Sequence, residues 1–196
     1  MYWNGQEYTP KNKKEKDALY QAQETADFYC YSQFINEKQP DTTITKAPAY
    51  SPYDALQNND IWIELKARHR HSLSNLSTFN LSLDKIDKLR TYIYTNDIIP
   101  KQVYVAALWI QDNKITLHPI TEYVTNDEEY YKLINSDRLI KKWTSVKSTD
   151  NNNKKFLNTL ITFDLKDKTQ TLTYSYDLSN YWQIFEEAYN INMKKT

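Results

Sequence analysis

Glu64 and Lys66 stand two positions apart in the stretch IWIELKAR, residues 61–68. Side chains alternate along a strand, so Ile61, Ile63, Leu65 and Ala67 fall on one face and Trp62, Glu64, Lys66 and Arg68 on the other. Burying an unpaired charge costs several kcal/mol, so charges on so apolar a strand need partners or a task. Glu64 and Lys66 are about 6.6 Å apart along the strand. A second acid, Asp54, lies ten residues upstream of Glu64 in SPYDAL, after a proline that favours extended or turning backbone. A turn there brings its carboxylate beside Glu64. Asp60, four residues away on the same strand, would be about 13 Å off, too far to share an ion. Two hard-oxygen carboxylates suit Mg²⁺ (or Mn²⁺) with several waters retained. Such an ion polarises a phosphoryl oxygen, makes a bound water more nucleophilic and stabilises the leaving oxygen. Lys66, on the same face, can orient that water and offset charge on the phosphate. The acids alone would equally suit calcium, and the lysine turns the reading towards phosphodiester hydrolysis.

The elements that must position these residues follow from periodicity and breakers. Asp17 to Ile35 has no Gly or Pro and places Leu19, Ala26, Cys30 and Phe34 close together on a helical wheel. EKQPDTT ends that helix, and Thr42–Ala47 reads as a short strand. After a turn-rich segment comes the strand from Ile61, then the polar, irregular HRHSLSNLSTFN. Leu83, Ile86, Leu89 and Ile93 are spaced as a helix, with Ser82 as N-cap. Gln102–Ile110 is apolar on both sides, as in a central strand covered on both faces. QDNK reads as a hairpin turn into ITLHPI, and 128–142 as a helix. SVKSTDNNNKK reads as a low-complexity loop, FLNTLITFDL and TQTLTYSY as a hairpin pair, and SNYWQIFEEAYNI as a closing helix. The order predicts an α/β (α+β) fold: a mixed sheet flanked by helices, with a further C-terminal α/β segment. We divide the chain into a polar lead-in (1–16), a core (17–120) and an extension packing on that core (121–196), one domain overall.

Asp54 followed by IELK in an apolar strand resembles the PD-(D/E)xK phosphodiesterase superfamily of restriction-endonuclease-like folds. The resemblance covers 17–120 and implies that Asp54 and Glu64 bind Mg²⁺ while Lys66 positions the water. It further implies an acid from the preceding helix, Glu24 ahead of Asp27. A basic residue from the following helix, Lys85, and Arg68 in KARHRH complete the set. DNA is the implied substrate. The chain departs from the family's Pro-Asp in having Pro52, Tyr53, Asp54.

Composition narrows the field. A single glycine, Gly5, excludes a glycine-rich phosphate loop or dinucleotide fingerprint, and a single cysteine excludes an internal disulfide or a thiolate zinc site. His69 and His71 are two apart, without the third nearby His or Cys that a transition-metal site needs. Lysine plus arginine and aspartate plus glutamate each number 25, so net charge gives no global footprint for a polyanion. Neither a leader nor an apolar span stands out, and we expect a cytoplasmic protein. The Lys-, Asn-, Ile- and Tyr-rich usage suits an AT-rich bacterial or phage genome. The competing readings are a solvent-facing ion pair at Glu64 and Lys66, a pocket for a small phosphorylated ligand, or a nuclease-like module that binds or assembles without cutting. Two other acid-x-lysine pairs, Asp164 with Lys166 and Asp112 with Lys114, read as a strand end and a turn. The C-terminal segment is the expected surface for a protein partner or homo-oligomer.

Overall fold

Asn12 caps the first helix by accepting the amide of Glu15 at 2.9 Å, and α1 then runs over Lys13–Lys38. Its buried stripe includes Leu19, Ala22, Ala26, Cys30 and Phe34, and its alanines let a second helix approach closely. That partner is α5 (Tyr181–Lys194), which contributes Tyr181, Phe185 and Ala188. The computed structural model describes residues 2–48, 50–69, 71–147 and 153–194.

The strands are β1 (Tyr2–Trp3), β2 (Gln6–Glu7), β3 (Ile44–Lys46), β4 (Ala55–Gln57), β5 (Ile61–Arg68), β6 (Thr78–Ser82), β7 (Gln102–Trp109), β8 (Lys114–Pro119), β9 (Leu139–Lys147), β10 (Asn153–Asp164) and β11 (Leu172–Ser175). The remaining helices are α2 (Leu83–Asn96), α3 (Thr121–Thr125) and α4 (Asp127–Ile134). Six strands form a mixed sheet in the order β11-β8-β7-β5-β4-β3, antiparallel except for the parallel pair β5–β7. A parallel neighbour requires a crossover, and the stretch between β5 and β7 contains α2. A second, three-stranded sheet is ordered β6-β10-β9.

Alternation along β5 divides the core. Ile63 and Leu65 pack with α1 and α5, while Trp62 joins the opposite cluster of Ile86, Leu89 and Ile93 from α2 and Phe79 and Phe163 from the second sheet. β7 feeds both sides, Ala106 and Leu108 into the first and Val103, Val105, Ala107 and Trp109 into the second. The expected mixed sheet flanked by helices is present. Among the described residues no helix is long and apolar enough to cross a membrane.

With one glycine, the chain fills left-handed backbone positions mostly with Asn and Asp, whose short polar side chains tolerate them. Asn58 (φ 51°) and Asn59 (φ 64°) turn β4 into β5, and Asn113 (φ 50°) turns towards β8.

Four local expectations need correction. The polar lead-in, expected to be loosely held, is tied down: β1 pairs with β2, Trp3 packs 4.6 Å from Tyr189, and the Tyr8 hydroxyl donates to Glu15 at 2.6 Å. The irregular segment after β5 contains β6, whose Phe79 and Leu81 face the core. The helix expected over 128–142 stops at Ile134, and β9 has begun by Leu139. The expected hairpin of the two late strands does not form, because β10 pairs with β9 and β6 while β11 adds to the edge of β8. Residues 148–152 of the expected low-complexity loop lie outside the described residues, but its flanks are strands, with Lys147 opposite Asn153.

Candidate active site

β4 and β5 form a tight hairpin whose last ladder pair is Ala55 with Ile63. One step further, the Asp54 amide donates to the Ile63 carbonyl at 2.8 Å, and the Asp54 carboxylate accepts the Leu65 amide at 2.7 Å. The carboxylate thus satisfies a strand edge that β4 no longer covers. It also fixes Asp54 beside Glu64.

Glu64 is 1% exposed, although it carries a carboxylate. One of its oxygens lies 2.5 Å from Lys66 Nζ and the other 2.6 Å from Lys85 Nζ, reached from the first turn of α2. Neither oxygen has a partner in ordinary hydrogen-bond geometry. Burial pushes the Glu64 carboxyl above its usual range and Asp54 adds to this, while the lysines act in the opposite sense.

The acid that α1 brings inward is Asp27, 6% exposed. It accepts the Tyr181 hydroxyl at 2.6 Å, and the same hydroxyl lies 3.0 Å from His69 Nε2. A hydroxyl that donates to Asp27 must accept from His69, so Nε2 carries the proton. Burial pushes Asp27 up to about 7, with Asp54 reinforcing the shift and Lys66 opposing it. Burial also holds His69 down at about 4.

A cleft of about 640 Å³ opens over this edge, between α1, the segment leading to Asp54 and the end of β5. Asp27, Asp54, Lys66 and Arg68 line it, with Glu24 and Tyr50 also on its wall. Glu24 is largely exposed and 3.7 Å from Lys46, so of the two helix acids only Asp27 is buried. Arg68 stacks its guanidinium 4.6 Å over Phe79 and donates to the Asn80 carbonyl at 3.2 Å. Tyr50, left-handed at φ 68°, stands fully exposed in the segment before Asp54.

The structure therefore gathers Asp54, Glu64, Lys66 and Lys85, adds Asp27, and sets Glu24 further out. Tyr181 was not singled out from the sequence. It lies 154 residues from Asp27, and nothing in its local pattern distinguishes it from other helical tyrosines. The remaining acid-x-lysine pairs sit at strand ends, Asp164 closing β10 and Lys114 opening β8. Asp164 accepts the Lys166 amide at 2.8 Å, and Asp112 accepts the Ser72 hydroxyl at 2.7 Å and the Leu73 amide at 2.6 Å.

Among the described residues no three His, Cys, Asp or Glu side chains gather into a metal cage. The donor set instead fits a hard cation held by one or two carboxylates with water filling its other positions, and the poorly satisfied Glu64 oxygens are the atoms that would gain from it. No family model, curated protein or solved structure matches this chain.

Proposed function

We propose that the protein is a Mg²⁺- or Mn²⁺-dependent nuclease of the PD-(D/E)xK type that hydrolyses DNA phosphodiester bonds. The observation that carries this reading is Glu64, a buried carboxylate bracketed by two ammonium groups, one of them from Lys66, which together with Asp54 lines an open cleft. A carboxylate this costly to bury is out of place in a purely structural strand. Asp54 and Glu64 are the residues that would hold the ion, which supplies charge neutralisation at the phosphate and a more acidic water. Lys66, 40% exposed at its side chain, is placed to orient the attacking water and to meet charge on the phosphate. Lys85 favours the ionised form of Glu64 against the effect of burial and braces one of its oxygens. Arg68, on the same cleft wall, offers a further cation to the substrate backbone. Asp27 adds a third acid to this edge.

A second reading is a nuclease-like module that binds or assembles without cutting. It is favoured by the same ion pairs, since both Glu64 oxygens already rest against ammonium groups. Incubation of linear, circular and single-stranded DNA with Mg²⁺ or Mn²⁺ separates the two. Cleavage by the wild type but not by Glu64→Ala or Lys66→Ala supports the nuclease. Absence of cleavage on every substrate, or equal cleavage by all three proteins, overturns it.

A further inference from the structure

Positive charge is unevenly spread in this neutral chain. The paired strands 139–147 and 153–160 hold Lys141, Lys142, Lys147, Lys154 and Lys155 and no Asp or Glu, so the rest of the chain is net acidic. The backbone makes these strands an arm. β6 pairs with β10 only over Leu160–Asp164, whereas Asn153–Thr159 pairs with β9 alone. At about 3.3 Å per residue, that seven-residue stretch extends roughly 23 Å past the end of β6. Lys141 and Lys142 are exposed, as are Ile140 and Leu157. An isolated two-stranded ribbon is of marginal stability in water, which leaves this one suited to ordering against a partner.

The arm starts at the site. Leu160 pairs with Ser82, the residue before α2, and three positions on is Lys85, which holds Glu64. From there the ribbon continues in the direction in which β6 ends. A groove about 12 Å wide, such as the major groove of a DNA duplex, admits a two-stranded ribbon. Five lysines against a single acid, Asp150 in the connecting residues, match a polyanion whose phosphates are evenly spaced.

We infer that the β9–β10 ribbon is a duplex-DNA-binding arm that lays its lysines along the phosphate backbone and holds the duplex over the cleft lined by Asp54 and Lys66. The inference rests on the nuclease reading for its biological sense, but binding can be measured without cleavage. The full chain is titrated with a fluorescent 30-base-pair duplex in the presence of a chelator, over a range of salt concentrations. One variant replaces Lys141, Lys142, Lys147, Lys154 and Lys155 by Gln. A charge-matched control replaces the exposed Lys13, Lys14, Lys16, Lys166 and Lys168 by Gln.

Loss of the arm lysines is expected to weaken binding at least about tenfold and to flatten the salt slope by about 0.9 for each phosphate no longer neutralised. The control should stay within about threefold. Circular dichroism shows whether both variants are folded; if the arm variant is not, single Lys141→Gln and Lys142→Gln proteins carry the test through their salt slopes. Equal weakening in arm variant and control overturns the arm. So does the absence of duplex binding by the wild type, or binding to anionic phosphatidylserine vesicles in place of the duplex. Cleavage that survives loss of the arm's binding role would leave the nuclease reading standing. Binding through the arm without cleavage would remove that reading and keep the arm.

Discussion

Glu64 and His118 occupy the same row of the main sheet, with Val105 between them on β7. Both are polar, both are at most 1% exposed, and they lie about 10 Å apart across two strand spacings. Their surroundings are opposite. His118 Nε2 is 3.0 Å from the Thr116 hydroxyl and Nδ1 is 3.2 Å from that of Thr171, while the ring stacks 4.3 Å from Phe79. Thr171 donates its hydroxyl to the Asp164 carbonyl at 2.8 Å and so accepts from Nδ1, which carries the proton, leaving Nε2 to accept from Thr116. Burial holds this histidine down at about 3, neutral and closed off beneath the second sheet. Glu64 instead meets two cations without ordinary hydrogen-bond geometry, and one of them, Lys66, lines the cleft. A buried polar group with its bonds complete stabilises a fold. One left incompletely bonded between two cations is the candidate for chemistry, and it is His118 rather than Glu64 that stacks on Phe79 of the second sheet.

The widest separation between the two should come from substitutions that keep shape. Glu64→Gln is expected to lower the cleavage rate at least about 100-fold while leaving the melting temperature within a few degrees, since it removes a charge that is costly to bury. Initial rates and a thermal melt on the same preparation test this. A large loss of stability with activity per folded molecule retained would reverse the assignment.

Thr116→Val should do the converse. It strands Trp109 Nε1 and His118 Nε2, costing about 1–3 kcal/mol and lowering the melting temperature by about 2–10 °C, with specific cleavage unchanged.

The pH dependence of stability sharpens the contrast between buried bases and buried acids. His69 and His118 are neutral in the fold, so their contribution is fully present above about pH 6.5 and falls away as pH drops towards 4. Asp27 has the opposite sign. Its raised value makes its contribution complete below about pH 4 and lost as pH climbs through about 7. The two effects oppose each other in one window, between about pH 4 and 7, so urea melts should show a shallow net fall in stability towards pH 4, and Asp27→Asn should steepen that fall. A slope unchanged by that substitution would mean that Asp27 does not hold its proton in the fold.

The smallest effect belongs to the cleft mouth. Glu24→Gln is expected to change cleavage by less than about threefold, because an exposed pair such as Glu24 with Lys46 contributes little. A loss as large as that of Glu64→Gln would move the functional acid of α1 from Asp27 to Glu24.

Elements with a strong local period were legible in the sequence. The stripe of α1, the spacing Ile86, Leu89, Ile93 in α2, the two-sided strand β7 and the alternation of β5 each follow from which residues repeat at 3.6 or 2 positions. The turn at QDNK follows from residue type. Where no period exists, local composition points the wrong way. LIKKW continues a polar helix in composition, yet it becomes strand once Ile161 and Leu160 lie opposite Leu139 and Ile140. The TFNLS strand is short and interrupted by polar residues, and only burial against Phe163 and His118 gives it a face.

By itself the sequence determined that Glu64 and Lys66 share one face of β5 and that Ile63 and Leu65 take the other, because strand alternation is a property of the backbone. It also determined that phosphate loops and thiolate metal sites were closed to this chain, because glycine and cysteine are each present once. Only the tertiary structure decided that Asp27 rather than Glu24 turns inward, and that Lys85 reaches Glu64. It alone brought Tyr181 across 154 residues to bond Asp27 and, through the same hydroxyl, His69. Those choices depend on the rotation of α1 against the sheet and on where α5 docks. Packing of the whole core sets both, and no local pattern in the chain encodes them.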